Sequence, residues 1–155
     1  MLTADVAIAK YGLPNETGSG YLVSMILPFP MRLSWLPKKT IKSFQCHESV
    51  ATQLIQIFTA ILHQYGFSEI QRLGIDLYGG CFNYREMREG TSLSIHSWGL
   101  AVDLDPEHNT LRETSETAKF AQPEYKPMID IFYRYGFESL GRERNYDWMH
   151  FQVKS

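Results

Sequence analysis

Between Val50 and Tyr65 the apolar residues recur at helical spacing. Val50, Leu54, Ile57, Phe58, Ile61, Leu62 and Tyr65 share one face, which predicts a helix over 48–65 with Gly66 as its stop. His63 lies off that stripe and reads as a surface residue, and His47, just before the helix, reads as a local hydrogen-bonding group. A second stripe (Met128, Ile131, Phe132, Tyr135) predicts a helix from Pro123 to Tyr135, with Pro127 in its first turn. Strand patterns are shorter. Residues 74–83 read as a strand running into a turn, and 100–105 alternate, with Leu100, Val102 and Leu104 against Ala101, Asp103 and Asp105. In 148–153, Met149, Phe151 and Val153 oppose Trp148, His150 and Gln152. Residues 12–20 and 107–122 read as loops. Helices and strands arrive without a βαβ rhythm, so the expected class is α+β, with a small, mainly antiparallel sheet and helices packed on one side.

A chain of 155 residues suits one domain. Residues 1–40 are expected to wrap a core formed by 41–155. The net charge of −2 argues against a nucleic-acid binder. Tyr21 to Pro30, the longest apolar stretch, is short and holds two prolines, so no membrane insertion is expected. Arg32, Lys38, Lys39 and Lys42 carry all the charge between Thr17 and His47. They read as a solvated surface or, alternatively, a face for an anionic polymer. Cys46 and Cys81 read as buried free thiols. The first residues lack a basic segment followed by an apolar one, so the chain is expected to be made in the cytoplasm without a signal peptide.

The chemistry gathers at His96, Asp103 and His150, each in or beside a strand pattern. Seven residues separate His96 from Asp103, which on an unbroken strand would place them on opposite faces. Ser97-Trp98-Gly99 must therefore turn the chain if both are to meet one ion, and Gly99 permits the turn. Two imidazoles and a carboxylate suit Zn²⁺, and three protein ligands leave a fourth position open, as in catalytic sites. A chance triplet in a chain with five histidines is the competing reading, and spacing alone does not decide between them.

The surrounding strings add specificity. Residues 94–103 read S-I-H-S-W-G-L-A-V-D and 147–151 read D-W-M-H-F. They resemble the motifs S-x-H-x-x-G-x-A-x-D and [DE]-x-x-H of the zinc D-alanyl-D-alanine carboxypeptidase and L-alanyl-D-glutamate endopeptidase family. The stretches LPFPMRLSW, CHESVATQL and YGGCFNYREMR are similar to its small endolysin-type members, so the likeness spans roughly residues 20–153. The resemblance implies a compact α+β fold with zinc in an open cleft. It implies His96, Asp103 and His150 as zinc ligands and Asp147 as general base, with a turn near Tyr146-Asp147 to bring base and ligand together. Arg85 matches an arginine that stabilises developing negative charge or holds a substrate carboxylate, and Arg88 competes for that role. Ser94 is expected to bind substrate or hold the His96 loop. Trp98 is expected either to line the cleft or to pack, and so is Trp148.

By the same resemblance the chain is expected to hydrolyse a bond of the peptidoglycan stem peptide, L-Ala–D-Glu first, through zinc-activated water. The alternatives are a D-alanyl-D-alanine carboxypeptidase or dipeptidase, and a non-catalytic zinc-binding module of the same fold. A monomer is expected, acting at the bacterial cell wall after release by a holin or lysis, as in a phage or prophage enzyme.

Overall fold

The computed structural model describes residues 1–155. Helix α1 (Ala4–Tyr11) starts at Thr3, whose hydroxyl accepts from the Val6 N–H, and ends at Gly12 with φ +84°. Strands β1 (Leu22–Leu33) and β2 (Leu36–His47) form a long antiparallel hairpin. Helix α2 (Ala51–Tyr65) follows a single 3-10 turn at Glu48–Val50, and α3 (Phe67–Leu73) follows it directly. Then come β3 (Leu77–Gly80), β4 (Ala101–Leu104), α4 (Lys126–Arg134), β5 (Phe137–Ser139), α5 (Leu140–Arg144) and β6 (His150–Val153).

The strands make one six-stranded sheet in the order β2-β1-β3-β4-β6-β5. The class is α+β, but the sheet is mixed, because β1 and β3 run parallel through Arg32↔Leu77 and Leu33↔Tyr78. The segment expected to wrap the core helps to build it. Met25, Leu27, Phe29, Met31 and Leu33 alternate inwards along β1 and are buried. The β1–β2 register shifts between Ile26 and Met31, the span that holds Pro28 and Pro30, two residues without an N–H for the ladder. β2 is an edge strand, and Pro37, Lys38, Lys39 and Lys42 lie exposed along it, where proline and lysine deter pairing with another strand.

The two expected helices carry the core. Phe58 of α2 meets Phe29 and Phe44 of the hairpin and Phe132 of α4 edge-on, at 6.0–6.4 Å between ring centres. Phe132 in turn stacks on Phe151 of β6 at 4.0 Å. Each such buried ring contributes about 1.5–3 kcal/mol. This cluster braces β6 from behind. The expected loop 107–122 contains two 3-10 turns and is tied down by Asn109, whose side chain donates to the Asp105 carbonyl and accepts from the Phe120 N–H. No helix is long and apolar enough to cross a membrane.

Candidate metal centre and cleft

His96, Asp103 and His150 meet at the middle of the sheet. Asp103 and His150 are direct partners across the antiparallel β4–β6 pair, so register alone sets their side chains next to each other. His96 sits on a 3-10 turn, Ile95–Trp98. The Ser94 hydroxyl caps that turn by accepting from the His96 N–H, and Gly99 closes it with φ +71°. A Cβ at Gly99 would come within 2.8 Å of the His47 backbone nitrogen, so both the backbone angle and the space require glycine. The turn expected between His96 and Asp103 is therefore present. Gly79 of β3 lies against the Asp103 Cβ on the other side.

One ligand-type atom from each of the three residues falls within 4.8 Å of the others. Hydrogen bonds outside the cluster fix which atoms these are. His96 Nδ1 lies 2.8 Å from the Cys81 carbonyl, which can only accept, so Nδ1 carries the proton. Nε2 then faces the cluster. It is buried without a hydrogen-bond partner, although Asp103 Oδ2 is 3.2 Å away. In the neutral ring a lone pair there confronts a carboxylate oxygen, an arrangement that a cation between them relieves. His150 is turned the other way round: Nε2 lies 2.9 Å from Gln152 Oε1, and Nδ1 lies 3.2 Å from Asp103 Oδ1. An orphaned buried nitrogen, a second imidazole nitrogen and a carboxylate between them fit a zinc ion.

The electrostatics agree. Burial disfavours the Asp103 carboxylate, but His96 and His150 outweigh it and hold its pKa well below the ordinary range. Burial also opposes a charged His150, yet the hydrogen bond and charge of Asp103, with Asp147 behind, push its pKa up. In the metal-free protein the His150 Nδ1 side of the cluster therefore holds a proton more readily than a free imidazole does.

Asp147 takes a left-handed backbone, φ +53°, and its carbonyl accepts from the His150 N–H at 3.0 Å. This is the turn expected ahead of β6. The Asp147 carboxyl has its pKa raised by burial, against the opposing charge of His150. It lines a cleft of about 520 Å³ together with the three ligand-type residues.

Arg85, Arg88 and Ser94 line the same cleft. The Arg85 backbone is clamped by Ser97, whose hydroxyl accepts from its N–H and donates to its carbonyl. The positive charge of Arg88 reaches Asp147. Trp98 does not line the cleft. It is 1% exposed, and its indole N–H donates to the Gly12 carbonyl at 2.8 Å, anchoring the end of α1, because the Gly99 turn directs it inwards. Trp148 is likewise buried, with its ring over Gly141. The sequence reading missed the Cys81 carbonyl, Gln152, and residues Met1 to Asp5, which form one wall of the cleft. The polar position of Gln152, two residues after His150 on the same strand face, was the available signal.

Residues 88–153, which include all three ligand-type residues and Asp147, match the family model described as D-alanyl-D-alanine carboxypeptidase. No curated protein and no solved structure matches the chain.

Proposed function

We propose, from the match of residues 88–153 to the D-alanyl-D-alanine carboxypeptidase family model, that the chain is a zinc peptidase cutting the L-Ala–D-Glu bond of the peptidoglycan stem. The observation that supports this best is the convergence of His96, Asp103 and His150 beside a separate, half-buried carboxyl on Asp147, in one cleft. Bound zinc would be held by His96 Nε2, Asp103 and His150 Nδ1, and the chemistry it supplies is Lewis acidity, which acidifies a water and polarises a carbonyl.

The remaining work falls to the chain. Asp147 takes a proton from the attacking water as its oxygen bonds to the scissile carbonyl carbon. When the C–N bond breaks, Asp147 returns that proton to the leaving amine. Arg85 stabilises the negative charge that develops on the carbonyl oxygen, and Arg88 holds a substrate carboxylate. Ser94 keeps His96 in place and presents its hydroxyl at the cleft wall. Arg144 adds a third guanidinium to the lining, which suits the free carboxylates of stem peptides. The protein acts as a monomer at the cell wall.

The description of the matching family favours a second reading, release of a terminal D-alanine. Mass spectrometry of soluble muropeptides after incubation with zinc-loaded protein separates the two. Fragments split between L-Ala and D-Glu, absent with chelator and with Asp147→Asn, are the expected result. Loss of D-alanine alone establishes the second reading. Zinc binding with no cleavage of any stem peptide or of D-Ala-D-Ala would leave a non-catalytic zinc-binding module and overturn both.

A further inference from the structure

The hydrogen bonds beyond the three ligand-type residues run unbroken from the cluster to the N-terminal segment. Gln152 is buried, two residues after His150 on the same face of β6. Its Nε2 donates to the Leu2 carbonyl at 2.9 Å, and its Oε1 lies 2.9 Å from His150 Nε2. A backbone carbonyl only accepts, so the amide cannot be flipped without setting two acceptors against each other. The Leu2 carbonyl therefore fixes the amide, and the amide fixes His150: with oxygen facing Nε2, that nitrogen must carry a proton. Only Nδ1 remains to offer a lone pair, and it points at Asp103.

We propose that Gln152 is a positioning residue for the metal, held by the Leu2 carbonyl so that its amide oxygen takes the His150 Nε2 proton and presents Nδ1 to the ion. The inference rests on the zinc reading of the cluster and goes beyond it. It makes the N-terminal segment part of the frame of the site: the same few residues that anchor Gln152 also wall the cleft. His96 achieves its orientation through the backbone of Cys81, which no side-chain change removes, whereas His150 depends on a single side chain. Partners of this kind tune metal affinity by about 10–100-fold.

The test is zinc affinity, measured by competition with a chromophoric chelator, in wild type and three variants. Gln152→Leu keeps the volume and removes the acceptor. Gln152→Asn keeps the polarity but falls one methylene short, and it carries the test if the leucine variant does not fold. Gln152→Glu keeps an oxygen at His150 Nε2, and in its protonated form the other oxygen donates to the Leu2 carbonyl. The Kd for zinc is expected to rise about 10–100-fold in Q152L and Q152N and to recover most of that loss in Q152E. Nitrogen NMR of the zinc-loaded wild type is expected to show His150 metallated at Nδ1 and protonated at Nε2, with that proton exchanging faster in Q152L. Wild-type affinity in a folded Q152L or Q152N, or His150 metallated through Nε2, overturns the proposal while leaving the metal reading intact. A wild-type protein that binds no zinc overturns the metal reading, and this inference with it.

Discussion

Asp147 shows how a single backbone angle separates two roles in a four-residue motif. On a regular strand, residues three apart point to opposite faces. The left-handed turn at Asp147 delays the start of β6 until His150 and brings the Asp147 carboxyl into the cleft lined by His96, Asp103 and His150 without adding it to their cluster. Asparagine tolerates that angle, so Asp147→Asn tests the base without straining the turn. We expect it to lower kcat by about 10²–10⁴-fold while zinc affinity stays within a few-fold of wild type. An unchanged kcat would remove Asp147 from the mechanism. As the proposed base, Asp147 works ionised, and burial raises its pKa, so the rate should fall on acidification at a higher pH than an exposed aspartate would give.

At the scale of elements, the site hangs on one turn and one strand pair. The β4–β6 register brings Asp103 and His150 together, and the 3-10 turn closed by Gly99 adds His96. Gly99→Ala should destabilise the fold by about 1–3 kcal/mol, from the left-handed angle and the crowding on His47. Urea denaturation checks this; stability equal to wild type would show that the turn relaxes freely. This turn, α2, α4, β4 and β6 were legible in the sequence, because glycine, helical stripes and alternation each leave a local trace. The hairpin was not: Pro28 and Pro30 interrupt the pattern of β1, and the bulge that absorbs them exists only against β2. The parallel β1–β3 contact joins residues far apart in the chain and has no local signature. Within the site, the residue types and motif pointed to His96, Asp103, His150 and Asp147, which line one cleft, but not to the tautomers. Those depend on the Cys81 and Leu2 carbonyls, and a backbone carbonyl looks the same at every position. Trp98 was ambiguous for a related reason, since an indole lines a cleft or fills a core according to the direction of the preceding turn.

For the molecule as a whole, proton and metal compete. The raised pKa of His150 means that its ion pair with Asp103 supports the metal-free fold fully below the ordinary value near 6.5, and that this support is lost as pH rises through the higher folded value. Asp103 stays ionised across that window and adds no slope. Under the proposed zinc reading, the ion competes with a proton at His150, so its stabilising effect is weak in acid and grows with pH. The rise in Tm on adding excess zinc should be larger at pH 8 than at pH 6, and the stabilisation behind it should reach about 2.7 kcal/mol where zinc is a hundredfold above its Kd. An equal or reversed effect in differential scanning fluorimetry would refute the assignment of His150 as a ligand.

The Gln152–Leu2 hydrogen bond joins residues 150 positions apart, and the Asp103–His150 pair joins residues 47 apart. Contacts of such span close late, after the local hairpin and helices have formed. The three ligand-type residues are thus expected to converge late on the folding route, once both ends of the chain are in place. A chain that lacks its first two residues, or stops before Gln152, is therefore expected to lose the hydrogen bond that orients His150.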